Sequence, residues 1–237
     1  MGDYSFGIKE LDDAIEGIRN GSNIIIVGPA MSGKEVILRH IMYHGAVKNE
    51  NAVITISTNE SASFMLDWFK ENKLELPISR IGIIDCITRS LGEAAVETDN
   101  IKLASNPMDL TGIGLRISQF FGYFLMKKNI QKIQLHIDSI STILMYSNIQ
   151  TVFRFIHVFT GRIKAAGGLG IFVMERGMHD EQAITTLKQL FDGMIEIKLE
   201  DDKKFIRIVG LSIKPTPWFE YELEGANLRI KGETGIA

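Results

Sequence analysis

The sequence predicts an α/β protein with a mostly parallel central sheet, helices on both faces and antiparallel strands near the C-terminus. Three observations predict this class. Short β-branched segments alternate with helical ones along most of the chain. A glycine-bounded loop joins the first strand to the first long helix. After Gly193 the pattern changes to paired strands. Alternation of this kind is typical of a parallel sheet covered by helices.

The bulk composition favours one globular domain spanning residues 1–237. Hydrophobic residues make up 45% of the chain and charged residues 23%, and neither repeats nor a low-complexity linker divides it. The net charge of −3 gives no general attraction to nucleic acid or to an anionic membrane, so nucleic acid is not expected as a partner.

Cysteine content and hydropathy predict a cytoplasmic protein with no membrane association. Cys86 is the only cysteine, so the chain cannot form an internal disulfide, which fits a reducing compartment. The first ten residues contain no apolar signal core, and no apolar run reaches the length of a membrane span.

Five strands and five helices are predicted before the pattern changes. The strands are short apolar runs typical of a buried parallel sheet, and the helices carry apolar residues at helical spacing. The predicted strands are Asn23–Val27, Ala52–Ser57, Ile81–Asp85, Gln134–Ile137 and Gly170–Met174. The predicted helices are Lys34–Ala46, Ser61–Glu71, Leu110–Lys127, Thr151–Ala166 and Ala183–Leu190, with a surface loop at Gly92–Pro107.

Two strand pairs are predicted in the C-terminal part. Asp201-Asp202 and Glu224-Gly225 are plausible hairpin turns. The predicted strands are Met194–Leu199, Phe205–Ile213, Trp218–Leu223 and Asn227–Ile230. Ligands of open α/β sheets bind at the carboxyl ends of the parallel strands, so the residues that follow those strands carry the functional predictions.

A candidate phosphate-binding loop follows the first strand and opens the first long helix. Its glycines permit a tight backbone whose N–H groups face a phosphate, and the helix N-terminus adds partial positive charge. The lysine would reach the β- and γ-phosphates of ATP or ADP. A glycine-bounded turn without a ligand is the alternative. The loop comprises Gly28, Pro29, Ala30, Met31, Ser32, Gly33 and Lys34.

Residue 35 departs from the usual loop, in which a Ser or Thr hydroxyl binds Mg²⁺. Glu35 stands there instead. A carboxylate can ligate Mg²⁺, but it also repels phosphate oxygens nearby. Glu35 could instead point away or bind a basic group. We therefore expect a nucleotide at this site and regard Glu35 as evidence against a Mg²⁺ ion and against hydrolysis.

Two acids follow other predicted strands. Asp138 ends an apolar strand, as in the Walker B pattern, and would hold Mg²⁺ directly or through water. Glu60 follows the second strand, where a carboxylate could polarise an attacking water. For each acid, capping of the next helix is the alternative.

The fifth predicted strand leads into Met174-Glu175-Arg176. A side chain here would lie beside the γ-phosphate, so Glu175 joins the nucleotide-binding candidates, although it repels phosphate unless protonated or bridged by a metal. Arg176 could compensate, act across a subunit interface, or simply be solvated. The acids and histidine at His179–Glu181 fit a loop and a helix cap better than a metal site.

These motifs occur in the same order as in the RecA superfamily, and the chain resembles its archaeal KaiC-like (KaiC/GvpD-related) P-loop ATPases. The entry segment at residues 6–12, the phosphate loop, Glu60 and the IDSIS segment at residues 137–141 carry the resemblance. It implies a RecA-like P-loop fold, with Lys34 on phosphate, Asp138 on the metal side and Glu60 activating water.

Several positions depart from the family pattern. Glu35 replaces the Mg²⁺-binding hydroxyl, and Asn59 stands where a first Glu of a pair is usual. Glu175 stands near the usual phosphate-sensing Gln, and Ser212-Ile-Lys214 replaces a Lys-x-Arg that reaches a neighbouring subunit. We expect each change to impair ATP hydrolysis more than it impairs nucleotide binding.

The resulting hypothesis is a KaiC-like nucleotide-binding protein that acts as a regulatory or signalling switch, with weak ATPase activity or none. An active ring-forming ATPase, a non-catalytic scaffold and a DNA-repair accessory protein are the alternatives. The expected partners are a nucleotide and either further copies of the chain or another protein.

Overall fold

A single ten-stranded sheet organises the part of the chain that the computed structural model describes, residues 3–94 and 96–234. The strands are β1 Asn23–Gly28, β2 Ala52–Ser57, β3 Ile81–Asp85, β4 Ile101–Leu103, β5 Ile133–Ile137, β6 Leu169–Glu175, β7 Gly193–Glu200, β8 Lys203–Val209, β9 Trp218–Glu224 and β10 Asn227–Thr234. The α-helices are α1 Lys9–Asp13, α2 Lys34–Val47, α3 Ala62–Glu71, α4 Leu110–Gly122, α5 Ile140–Tyr146, α6 Ile149–Ala166 and α7 Glu181–Lys188.

The strand order is β10-β9-β8-β7-β1-β6-β5-β2-β3-β4. Neighbouring strands from β7 to β4 are parallel, whereas β7, β8, β9 and β10 pair antiparallel. This arrangement confirms the predicted fold class, including the antiparallel extension at one edge. The carboxyl ends of β1, β6, β5 and β2 lie side by side and carry the residues singled out from the sequence.

Each face of the sheet is covered by helices because strand residues alternate between the two faces. Helices α4 and α6 pack on one face with residues such as Ile117 and Phe159, and the N-terminal segment and α2 pack on the other with residues such as Phe6 and Ile41. The described helices include none with the length and apolarity needed to span a membrane.

Several elements differ from the predictions, among them α1, which was not predicted. Strand β4 lies inside the predicted loop Gly92–Pro107, where three residues are too few to show a period. Helix α5 was not predicted, because its seven residues lie between a strand and a longer helix. Strand β8 ends at Val209 rather than Ile213, since Gly210 turns the backbone with φ of 88°.

Both predicted hairpins are present. Asp201 and Asp202 form the β7–β8 turn with φ values of 50° and 60°, as a tight hairpin requires. The β9–β10 turn lies one residue later than predicted, because Glu224 still belongs to β9.

An unusual polar pair is buried in the centre of the sheet. His136 on β5 is fully buried and lies 3.0 Å from Gln134 Oε1 through its Nε2 atom, while its Nδ1 has no hydrogen-bond partner. Burial lowers the pKa of His136 to about 3, so the folded protein keeps this ring neutral.

We expect His136 to lower the stability of the folded protein in acid. An unfolded histidine binds a proton below pH 6.5 and the folded one does not, so stability is lost as pH falls through that value. The wild type should lose about 2 kcal/mol of its free energy of unfolding between pH 7 and pH 5 because of His136, and His136→Gln should not show this part of the loss. Chemical denaturation at both pH values measures the free energy of unfolding. His157 is exposed, so the His157→Gln variant should lose as much stability as wild type. An equal loss of unfolding free energy in wild type and His136→Gln would contradict the lowered pKa of His136.

Candidate functional site

The loop between β1 and α2 turns tightly. Met31 and Gly33 both adopt left-handed backbone conformations, with φ of 59° and 85°. Gly33 has a second constraint, because a Cβ atom there would lie 2.1 Å from Leu223 Cδ1. The loop therefore turns tightly into α2 beneath a side chain from β9.

Strand β9 also fixes the loop by a hydrogen bond. The hydroxyl of the buried Tyr221 donates to the carbonyl oxygen of Ser32 at 2.6 Å. Burial, with the negative charge of Glu35 nearby, raises the pKa of Tyr221, so this hydroxyl stays a donor. The Ser32 hydroxyl is itself buried and has no hydrogen-bond partner, which leaves one unsatisfied polar group inside the loop.

Lys34 is the centre of the site. Its side chain is 2% exposed, and its ammonium donates to the carbonyl oxygen of Pro29 at 2.9 Å. Two carboxylates lie close to the same Nζ atom, Glu175 at 3.1 Å and Glu35 at 3.7 Å. The predicted phosphate-binding lysine is therefore paired with two of the other predicted site residues.

Glu175 is held rigidly beside the loop. It ends β6, where it is paired in parallel register with Gly28 of β1. Its backbone N–H donates to Ser141 Oγ at 2.9 Å, and the N–H of Arg176 donates to the Gly28 carbonyl at 2.8 Å. These backbone contacts place the carboxylate within reach of Lys34.

The side chain of Arg176 is directed to the antiparallel strands and not to Lys34. Its guanidinium pairs with Glu196 of β7, which also accepts from Arg207 Nε of β8 at 2.8 Å. Burial would raise the pKa of Glu196, but the two guanidinium groups outweigh it and lower that pKa. Arg207 in turn lies over the Trp218 ring at 4.3 Å. The loop is thereby connected to the antiparallel strands.

Asp138 lies in a second group of polar residues around the β2–α3 loop. Its carboxylate accepts from the Thr58 backbone N–H at 2.9 Å, the Thr58 hydroxyl at 2.5 Å and the Asn59 N–H at 3.3 Å. Burial raises the pKa of Asp138 to about 6, despite these hydrogen bonds. The ion pairs of Lys34 are with Glu35 and Glu175, and its Nζ makes none with Asp138 within 4.0 Å.

Glu60, the predicted water activator, is engaged by Arg39 of α2. The Arg39 Nη2 atom lies 2.6 Å and 2.5 Å from the two carboxylate oxygens, and both side chains are largely buried. The guanidinium also stacks over Trp68 at 4.4 Å. Arg39 was not identified from the sequence, because only the packing of α2 against α3 brings it to Glu60.

Neither Glu60 nor Asp138 caps a helix, which was the alternative for both. Ser61 caps α3 by accepting from the Phe64 N–H at 3.3 Å, and Ser139 caps α5 by accepting from the Thr142 N–H at 3.0 Å. In contrast, Asp180 caps α7, as the helix-cap interpretation of residues 179–181 predicts.

The donor set fits phosphate better than it fits Mg²⁺. A phosphate bound at the loop would meet the ammonium of Lys34 and the N-terminus of α2. For Mg²⁺ the loop offers no hydroxyl after Lys34, and the oxygens of Asp138 already accept several hydrogen bonds. Within the described residues, no group of three or more His, Cys, Asp or Glu side chains could hold a metal ion.

Comparisons with known proteins support the fold. A model of a family of unknown function (DUF7504) matches residues 21–197. None of the curated proteins compared with the chain matches it in sequence. Among the solved structures that are similar to it are two from the archaeon Pyrococcus horikoshii.

The KaiC-like protein PH0186 is 15% identical, with a TM-score of 0.66, and the alignment covers 96% of this chain and 98% of that one. The uncharacterized protein PH0321, solved in complex with an unknown peptide, is 19% identical, with a TM-score of 0.72 and coverage of 97% and 100%. The KaiC-like, RecA-type fold implied by the resemblance is thereby confirmed, and the roles of the site residues stay predictions.

We expect the buried carboxyl of Asp138 to make the protein less stable as pH rises from 4 to 6. The folded acid keeps its proton to about pH 6, whereas an unfolded aspartate loses it near 3.8, so the stability that protonation contributes disappears across this window. Between pH 4 and pH 6, the free energy of unfolding of wild type should fall by up to about 3 kcal/mol relative to that of Asp138→Asn.

Urea denaturation of both proteins at pH 4, 5 and 6 measures this difference. Asp67→Asn serves as the control, because Asp67 is exposed on α3 and should leave the pH dependence unchanged. A wild type that gains stability over the variant between pH 4 and pH 6 would refute the raised pKa.

Proposed function

The chain belongs to the family of unknown function DUF7504, and we propose that it binds nucleotide phosphates at residues 28–34 as a regulatory switch with little or no hydrolysis. The observation that carries this proposal is the buried ammonium of Lys34. It lies at the N-terminus of α2 in a phosphate-loop backbone, and its partners are a carbonyl and carboxylates that phosphate oxygens can replace.

The partners of the catalytic candidates support weak hydrolysis. Glu60 is paired with Arg39, whose guanidinium occupies part of the hydrogen-bonding capacity of both carboxylate oxygens that a water activator would use. Asp138 holds the β2–α3 loop through Thr58 and Asn59. With Glu35 in place of a hydroxyl, the site has a phosphate cradle but lacks the usual means of placing Mg²⁺ and water.

Contacts from β9 support a switch. Tyr221 bonds the loop at Ser32, and Leu223 lies against Gly33. A phosphate bound at the loop adds negative charge beside the residues that both side chains contact, so we expect binding to alter the stability of the C-terminal hairpin. A protein partner or a further copy of the chain would sense that change, and both remain predictions.

A non-catalytic scaffold is the second candidate. The observation that favours it is the Lys34–Glu175 ion pair, which satisfies the lysine without any ligand. The two candidates differ in whether nucleotide stabilises the fold, since a ligand that binds only the folded state raises its melting temperature.

We expect ADP and ATP to bind the wild type and Lys34→Met to abolish this binding, because the variant keeps the length of the side chain and removes its charge. Isothermal titration with and without Mg²⁺ measures affinity, and a phosphate-release assay measures turnover. We expect turnover near background.

Lys70→Met is the matched control, since Lys70 is an exposed lysine on α3. It should bind nucleotide as the wild type does. No binding by wild type at millimolar nucleotide would favour the scaffold, and rapid phosphate release that depends on Lys34 would favour an active ATPase.

A further inference from the structure

The Glu175 carboxylate lies beside the ammonium of Lys34, the group that a phosphate-loop lysine presents to nucleotide phosphates. A phosphate-loop lysine contacts the β- and γ-phosphates, while the loop backbone holds the phosphates nearer the nucleoside. Here a carboxylate oxygen lies 3.1 Å from Lys34 Nζ. It supplies the negative charge that a γ-phosphate would bring.

This carboxylate belongs to the framework of the site. Glu175 is paired in register with Gly28, the first residue of the loop, and its N–H is bonded to Ser141. The next residue, Arg176, donates its N–H to the Gly28 carbonyl. Moving the carboxylate away from Lys34 therefore requires a change of side-chain rotamer, because the backbone is held by hydrogen bonds on both sides.

The local charge balance also disfavours a third phosphate. One ammonium faces two carboxylates, Glu175 at 3.1 Å and Glu35 at 3.7 Å. A diphosphate can bind the loop backbone and share Lys34 with Glu175. A triphosphate must either displace Glu175 from Lys34 or place its γ-phosphate against a carboxylate, and like charges in contact repel.

We propose that Glu175 makes this site selective for nucleoside diphosphates over triphosphates, with its carboxylate in the place of the third phosphate. The inference rests on the proposed nucleotide binding and adds its specificity. The ligand that the proposed switch senses would then be a nucleoside diphosphate, the product of triphosphate hydrolysis by other enzymes.

The test compares ADP with the non-hydrolysable analogue AMP-PNP by isothermal titration. Wild type, Glu175→Gln and Glu35→Gln are measured, each with Mg²⁺ and with EDTA. Pyrophosphate and tripolyphosphate, used as competitors, report on the phosphate site without a contribution from the base. Melting temperatures verify that each variant is folded.

In EDTA, we expect wild type to bind ADP roughly tenfold more tightly than AMP-PNP, the order of effect that one like-charge contact produces. Glu175→Gln should bring the two affinities within about threefold of each other, because the amide keeps the shape without the charge. Glu35→Gln should strengthen both ligands and retain the ADP preference, because Glu35 is more exposed and farther from Lys34.

Two results would overturn the inference while leaving nucleotide binding intact. They are equal or tighter AMP-PNP binding by wild type, and an ADP preference unchanged in Glu175→Gln. Nucleotide binding that appears only in Glu175→Gln would overturn both the selectivity and the proposed function of the wild type, because Glu175 would then block every nucleotide. Absence of binding by all three proteins would instead refute the proposed function itself, and the selectivity with it.

Discussion

The ion pair between Lys34 and Glu175 links the two central strands at the end where the phosphate loop begins. A buried ammonium without a partner is strongly unfavourable, so the fold needs an anion at this point. The parallel register of β1 and β6 brings Glu175 to the loop, and the loop brings Lys34 back over the strand ends. Loop conformation, strand register and charge balance therefore depend on one another.

The antiparallel strands are coupled to this pair from two directions. Tyr221 and Leu223 of β9 contact the loop itself. Glu196 of β7 joins Arg176, the neighbour of Glu175, to Arg207 of β8. A change at Lys34 thus has two short paths to the C-terminal strands, one through the loop and one through the end of β6. The proposal that the C-terminal strands respond to nucleotide rests on these contacts.

The sequence predicted those features that depend on local pattern. The strand and helix periods, the loop glycines and the hairpin turns are all set by neighbouring residues, and they are confirmed within a few residues. The pairing of Arg39 with Glu60 and the bonds from Thr58 to Asp138 depend on packing between elements distant in sequence. Tyr221 was missed for the same reason, although its alternation with Phe219 and Leu223 marks one face of β9.

The energetics of the ion pair bear on whether the site is structural or binds a ligand. A buried ion pair gains little net stability over apolar side chains of similar size, since desolvation offsets most of the attraction. Stability alone therefore gives little reason for a charged pair at Lys34 and Glu175. A ligand gives a stronger one, because an ammonium that is already desolvated and held beside a helix N-terminus can bind phosphate oxygens in addition to the Glu175 carboxylate.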